Sequence, residues 1–516
     1  MLFSIPWLLS FIVGFLSLSE EILWVRIVGF TYEGLPPAFS FVLACYLVGI
    51  AAGAAFGRRV CAHVSNLYGA AAIALSVAAL VDVSIPLISG RLIQPNSQHL
   101  YIPALAIVMT AGLKSVLFPI VHHLGSTPGD RLGRSMSRIY FGNIVGATLG
   151  PLVTGFVVLD YLNVDECFGA AAALSLLTAV ICVLKSRRPL LILETLVVAI
   201  LASVIAMKFI FPGSGSLIAV AKDASTVTHF VSNRYGLIHT ARTDQGDMVF
   251  GGNVYDGIET VNVDTNPNRL DRLYILDTLR PNPKRILFVG LSGGAWVAVT
   301  ARSLNDVESI DVVEINPGYL DLIHSYPQVS GILKDPRIHI HVDDGRRWLR
   351  RNPDARFDLI VQNTTYYWRA NSANLLSREY FEEIRTHLVP GGIFAANTTG
   401  SFDVLATAQA VFPNSYLYSN FVYGSDYPLV PNPSRLLQIH RPDHKMFSFD
   451  QVKAGSVATE LSHASLEPTQ SFIARTHADA EVITDDNMLT EYRHGRRFGP
   501  EFLQRLLPPE IESFAH

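Results

Sequence analysis

The sequence predicts two classes of structure in one chain: an α-helical transmembrane bundle of about seven spans, then a small β unit and an α/β domain built on a parallel sheet. Three observations predict it. The chain has 516 residues, a mean hydropathy of +0.30 and only 16% charged residues, which is long for one domain and too apolar for a purely soluble protein. The apolar excess lies in the first 211 residues. Farther on, Arg285 to Pro317 reads RILFVGLSGGAWVAVTARSLNDVESIDVVEINP: an apolar run, a glycine turn, a helix-like stretch and a second apolar run ending in an acid.

Seven apolar spans are expected at residues 4–30, 37–57, 67–90, 100–121, 140–159, 165–184 and 189–211. Each is near or above the about 20 residues that a helix needs to cross a bilayer. Buried helices of a large soluble core are the competing reading. No basic stretch precedes the first span and no small-residue cleavage site follows it, so a retained helix is expected there. Arg58, Arg59, Arg131, Arg134, Arg138, Lys185, Arg187 and Arg188 fall in loops on one side, and little beyond Arg91 on the other. The positive-inside rule then sets the N-terminus in the cytoplasm of a multi-pass cell-membrane protein. Seven crossings put everything after Phe211 outside the cytoplasm.

Charges inside the spans allow two readings. Glu20 or Glu21 lies within helical reach of Arg26, either as an interfacial ion pair anchored by Trp24 or as a polar site between helices. Lys114, His122 and His123 are expected at the interface. The small-residue stripes Gly49/Gly53/Gly57 and Gly142/Gly146/Gly150 predict close helix packing. All four cysteines, Cys45, Cys61, Cys167 and Cys182, belong to this half, so the rest of the chain has no disulfide framework.

Four regions follow: the bundle over 1–211, a linker and small antiparallel β unit over 212–283, a nucleoside-binding α/β domain over 284–400, and a C-terminal remainder over 401–516. Strand-like alternation at Val227 to Ser232, Gly236 to Ala241 and Met248 to Phe250 supports the β unit. In the α/β domain, strands are expected at Ile286–Val289, Ile310–Val313, Ile338–Val342 and Phe357–Val361, a helix at Ser377–Leu388, and a turn at Pro390-Gly-Gly392 before a strand through Ala396. Gly290-Leu-Ser292-Gly-Gly294 is the turn that brings bare backbone to a ligand, or else only a tight strand-to-helix connection. Glu314, at the carboxyl end of the second strand, is placed to accept hydrogen bonds from both ribose hydroxyls of a nucleoside. Asp344, at the next strand end, can accept from an adenine amine. Ligands of open parallel sheets bind outside the carboxyl ends of the strands, so Asn363-Thr-Thr-Tyr366-Tyr-Trp368-Arg369 should face the reacting group.

Pro281-Asn-Pro-Lys-Arg-Ile-Leu, the glycine turn, Val313-Glu-Ile-Asn, Asp343-Asp-Gly, Ser377-Arg-Glu-Tyr-Phe and Leu388-Val-Pro-Gly-Gly follow one another in an order that resembles the spermidine synthase (polyamine aminopropyltransferase) family. More narrowly, the chain resembles that family's membrane-fused branch, in which a multi-span bundle precedes the synthase-like domain. The resemblance includes Glu21-Ile-Leu-Trp-Val-Arg26 in the first span and Thr484-Asp-Asp-Asn487 with Glu491-Tyr492 near the end.

The resemblance implies a methyltransferase-like, Rossmann-type fold that binds decarboxylated S-adenosylmethionine. It would transfer the aminopropyl group to a polyamine amine and release methylthioadenosine. S-adenosylmethionine itself is the other co-substrate considered, and no prosthetic group is expected. By position, Gly290, Ser292 and Gly294 would line the nucleoside, Glu314 would hold the ribose and Asp344 the adenine. The acceptor half departs from the family. Where an Asp–Ser–Ser–Asp-like stretch is expected, the chain has Asn363-Thr-Thr-Tyr366, and an asparagine cannot accept a proton at neutral pH. The family's aspartate in the glycine turn is replaced by Gly293, its later glutamine by Tyr255, and its tyrosine–histidine pair by the region of Asn268 and Arg269. Asn363, Tyr366, Trp368 and Arg369 are therefore the candidates at the reacting group. Aromatic faces can hold a cation, and Arg369 argues instead for an anionic or carboxylate-bearing acceptor. Packing of the aromatic cluster on the bundle is the bland alternative.

Three functions fit: a membrane-anchored transferase with a non-standard acceptor, an aminopropyltransferase whose missing acid comes from Asp485, Asp486 or Glu259, or a non-catalytic nucleoside- or polyamine-binding transporter or sensor. The partners expected are a small-molecule acceptor, the membrane and a second copy of the chain. A net charge of −4 with scattered basic residues gives no nucleic-acid footprint. No His/Asp/Glu cluster has metal-ligand spacing, so no metal is expected.

Overall fold

The computed structural model describes residues 4–92, 100–127, 132–209, 216–262, 265–304, 306–363, 366–432 and 465–493. Within the expected linker and C-terminal remainder, residues 212–215, 433–464 and 494–516 lie outside them. Two compact units form, residues 1–224 with 232–237, and residues 225–231 with 238–516.

The first unit holds helices α1 (Ile5–Thr31), α2 (Pro36–His63), α3 (Leu67–Leu92), α4 (Tyr101–Ser115), α5 (Leu117–Gly125), α6 (Leu132–Phe156), α7 (Val164–Ser186) and α8 (Pro189–Phe209). Local sequence sets their starts. Ser4 Oγ caps α1 by accepting from Trp7 N–H at 3.4 Å, with Pro6 in the first turn. Asn163 and Glu166 form a reciprocal capping box on α7, at 3.0 and 2.8 Å.

Among the described residues six helices are long and apolar enough to cross a membrane, not the seven expected, with α4 and α5 forming one span over Tyr101–Gly125. The seventh, α8, has an apolar run of only Leu190–Ala206.

The glycine stripes do what their spacing predicts. A Cβ on Gly146 or Gly150 of α6 would overlap the Phe11 or Phe15 carbonyl oxygen of α1. One on Gly53 or Gly57 of α2 would overlap the Gly112 oxygen of α4 or the Val116 oxygen just beyond it. With no side chain in the way, backbones approach closely enough for dispersion to hold them where lipid offers no hydrophobic drive. Of the two readings of the charges inside the first span, the polar site between helices is the one observed, and Lys114 belongs to it. Trp24 is fully buried with its ring edge on Phe168, and Lys114 is buried beside Glu20, which therefore does not pair with Arg26.

The second unit begins with an antiparallel four-stranded sheet of β1 (Val227–Asn233), β2 (Gly236–Thr243), β3 (Gly246–Gly251) and β4 (Val254–Ile258), in that order. The larger sheet holds β5 (Arg285–Val289), β6 (Ser309–Glu314), β7 (Ile338–Val342), β8 (Phe357–Gln362), β9 (Leu388–Asn397), β10 (Asn414–Tyr418), β11 (Phe421–Ser425) and β12 (Glu467–Pro468). Its order is β12-β10-β11-β9-β8-β5-β6-β7. The five strands from β9 to β7 run parallel, and β11 pairs antiparallel with β9. Ile286, Leu287, Phe288 and Val289 are all buried, because helices cover both faces of a parallel sheet. Pro390-Gly-Gly392 does not precede a strand as expected; it lies inside β9, where the register against β8 slips. Strand order reverses at β5, between β6 and β8, and such a switch point opens a crevice at the carboxyl ends.

Gly146→Leu is expected to lower the thermal midpoint of the detergent-solubilised chain, since overpacking a tight contact costs about 1–3 kcal/mol. Gly29→Ala, where nothing lies within 4 Å of an added Cβ, should leave it nearly unchanged. Equal midpoints for the two variants in a fluorescence melt would show that α1 and α6 do not meet through this stripe.

Candidate functional site

A cavity of about 670 Å³ opens at the switch point. Its floor is the turn after β5. Gly290 and Gly294 have φ of +93° and +81°, a region that suits glycine, and Ser292 also sits there at +48°. Ser292 is held by its hydroxyl, which donates to the Asp256 carbonyl oxygen at 2.6 Å. Gly294 begins the helix Ala295–Ser303, whose first N–H groups therefore face the cavity side of the turn.

The wall beyond the turn is amide and aromatic. Asn363 follows β8, Asn397 ends β9 and Asn420 precedes β11, so three strand ends present three carboxamides. Asn397 Nδ2 donates to Asn363 Oδ1 at 3.0 Å, and Asn420 Nδ2 donates to Asn397 Oδ1 at 3.1 Å. Arg272 Nη1 closes the line on Asn420 Oδ1 at 2.6 Å. The Arg272 guanidinium lies over Phe421 and Trp296, 4.9 and 5.3 Å from their ring centres. It also donates to the Arg269 and Asn268 carbonyl oxygens, which leaves two of its five N–H groups. Burial lowers its pKa to about 10, so it stays a cation. Tyr366 and Trp368 face each other with ring centres 5.5 Å apart, and both line the cavity with Tyr255.

The structure thus brings Gly290, Ser292, Gly294, Asn363, Tyr366 and Trp368 to one cavity. Three other expected residues are not in its lining. Arg369 turns to the Gly251 carbonyl oxygen at 3.2 Å, tying the loop after β8 to β3. Asp344 caps the helix Gly345–Arg351, accepting from Arg347 N–H at 2.8 Å. Glu314 is buried, with Oε2 accepting from Leu291 N–H and Oε1 from Asn316 N–H, each at 2.8 Å. Burial raises its pKa to about 7 against the pull of those N–H groups. Ser292 N–H also favours the charged form, so of the about four lone-pair sites of a carboxylate about one remains on Glu314 for a further donor. Asp485 is also elsewhere, in a two-pronged pair with Arg346 at 2.7 Å and accepting from Ser377 Oγ.

Two acids gather near the turn instead. Asp256 is the one acid among the described lining residues. Its Oδ2 accepts from Tyr319 OH, and burial pushes its pKa up to about 6. Glu259 stands behind Gly293, where a Cβ would overlap its Oε1. Neither Glu259 oxygen meets a donor among the described residues, and burial, with the nearby Asp247 charge, pushes its pKa up to about 8. Arg272, Asn397, Asn420 and Asp256 were not singled out from sequence. For Asn397 the signal was available, since it ends a parallel strand just as Asn363 follows one.

Residues 276–413 match the family model of the spermine/spermidine synthase domain. The spermidine synthase of Coffea arabica is 27% identical over 147 residues, 27% of this chain and 46% of that protein. The spermine synthase of Arabidopsis thaliana is 29% identical over 113 residues, 22% of this chain and 31% of that protein. The chain spans less than half the length of the curated relatives it matches. A crystal structure of spermidine synthase in complex with the transition state analogue AdoDATO aligns with a TM-score of 0.39 at 17% identity, over 48% of this chain and 87% of that one.

Glu259 gives a pH signature. A carboxyl raised from 4.5 to about 8 keeps its proton in the folded chain across a window where the unfolded chain has lost it, so stability falls as pH rises through that window. Glu259→Gln removes the effect. It is expected to melt no higher than the parent below the window and higher above it, by ~2–4 kcal/mol of stabilisation. A pH series of melts checks this, and a difference that does not grow with pH would mean the carboxyl is ionised where it stands.

Proposed function

We propose, taking as premise that the C-terminal part carries a spermidine synthase domain, that this part transfers an aminopropyl group from decarboxylated S-adenosylmethionine to an acceptor that is not a standard polyamine. The single observation that carries the acceptor reading is the wall of Asn363, Asn397 and Asn420 ending on the Arg272 cation, with Asn363 standing where the family resemblance expects an acid. A polyamine brings several positive charges and needs carboxylates to balance them. An amide line is neutral, and a buried guanidinium repels such a ligand. Arg272 suits an acceptor that carries a carboxylate beside its reacting amine, since its remaining N–H groups bind an anion as charge-assisted donors.

In the transfer, the lone pair of the acceptor amine attacks the aminopropyl carbon bonded to sulfur. The carbon–sulfur bond breaks, the sulfonium takes its electron pair and methylthioadenosine leaves neutral. The acceptor nitrogen must then lose a proton. Asp256, with its pKa near 6, is the carboxylate in the cavity wall that takes it. Glu259 supplies the acid that Gly293 lacks: its carboxylate, freed of a proton on binding, receives the ammonium of the co-substrate across the bare glycine. Glu314 keeps about one lone-pair site for a ribose hydroxyl. S-adenosylmethionine, with a further carboxylate, fits less well beside Glu259.

The span count bears on location. Six crossings return the chain to the side on which it starts, and the basic loops at Arg58, Arg131 and Arg187 mark that side as cytoplasmic. That is where adenosyl compounds are made.

The purified chain in detergent is expected to release methylthioadenosine from decarboxylated S-adenosylmethionine with an acceptor bearing both amine and carboxylate, and much more slowly with a plain diamine. Arg272→Met should lower kcat/KM for the first acceptor by about 10–100-fold, the worth of one charge-assisted contact. Equal rates with the diamine would sink the acceptor reading. Binding of adenosyl ligands with no release from any acceptor would leave a non-catalytic binding domain.

A further inference from the structure

Glu20 of α1, Asp82 of α3 and Lys114 of α4 meet inside the helical unit. Lys114 Nζ donates to Glu20 Oε2 at 2.7 Å and to Asp82 Oδ1 and Oδ2 at 2.8 and 3.0 Å. All three side chains are at most 1% exposed. Each lies toward the middle of its span, Ile5–Thr31, Leu67–Gly90 or Tyr101–Gly125.

An ammonium has three N–H donors, and these contacts use all of them. Glu20 Oε1 is left with no donor among the described residues. The charge count agrees: two carboxylates face one ammonium, so the group carries one negative charge too many. A membrane interior strongly disfavours such a charge. A tether between helices would need only the Lys114–Asp82 pair, which already balances. The second carboxylate and its orphan oxygen are in excess of any tether.

We propose that Glu20, Asp82 and Lys114 form a binding site for one monovalent cation, a proton or Na+, taken at Glu20 Oε1. The other titratable group that interacts with Glu20 and Asp82 is Tyr46 of α2, which also faces Glu21 of α1; the Tyr46 hydroxyl donates to the Ser17 carbonyl oxygen at 2.5 Å. Because the three partners come from three helices, filling or emptying the site changes the charge at their junction. The bundle is then a cation-responsive unit and more than an anchor.

The test is the thermal midpoint of the full chain in detergent, with choline replacing Na+ at constant ionic strength, and then along a pH series. For Na+, the midpoint climbs on the order of 3 °C per tenfold increase above half-saturation. For a proton, Na+ has no effect and the midpoint falls as pH rises, more steeply than in the variants. Glu20→Gln, which leaves the balanced Lys114–Asp82 pair, is expected to abolish either response. Asp82→Asn, which leaves a balanced Lys114–Glu20 pair, should do the same and serves if the first variant does not fold. A midpoint indifferent to both ions, or responses equal in parent and variants, overturns the proposal.

Discussion

The C-terminal unit depends on one constraint: the hydrogen-bond ladder of β5 continues one residue beyond the strand ends on both sides. Gly290 N–H reaches the Val313 carbonyl oxygen at 2.9 Å, and Asn363 N–H reaches the Val289 carbonyl oxygen at 3.2 Å. These two bonds fix the glycine turn between the end of β6 and the start of the loop after β8. Everything that lines the cavity is measured from that frame. The turn can bend upward only because Gly290 and Gly294 accept positive φ, and the helix it launches is aimed by that bend.

Within the frame, the polar groups form a graded series rather than a cluster of charge. From Asn363 through Asn397 and Asn420 to Arg272, each group donates to the one before it, so the dipoles align and end on a cation. An aspartate at position 363 would reverse the sign at the far end of that line. The amide at 363 and the arginine at 272 are therefore parts of one arrangement, although they lie on opposite sides of β5 in sequence. The same coupling holds at the turn, where the missing side chain of Gly293 and the intruding carboxylate of Glu259 occupy one volume.

The fold was largely legible because it rests on period and punctuation. Apolar runs bounded by glycine turns gave every parallel strand, and fourfold-spaced glycines gave the helix contacts of the bundle. The site was legible in part. Residues at the ends of parallel strands could be placed by rule, and Gly290, Asn363 and Trp368 do line the cavity. Arg369 and Asp344 could not be placed, since a backbone carbonyl or a helix N-terminus competes for any charged group within reach, and sequence does not show which competitor is nearer. Arg272 escaped notice for the opposite reason. It sits in the helix Asp271–Leu279, where an arginine looks like a solvated face until Phe421 arrives from a strand 149 positions on to cover it.

Burial of a carboxyl group without a matching partner is what the two units share. In the bundle, Glu20 keeps one oxygen, and in the C-terminal unit Glu259 keeps two, that meet no donor among the described residues. A carboxylate so placed works against folding unless something outside the chain completes it. Packing alone does not explain either one, because an aliphatic residue of similar size would fill the same volume without that penalty. In the proposed reading, the completing group at Glu259 is a ligand ammonium received across Gly293. At Glu20, buried among helices, it is the proposed monovalent cation.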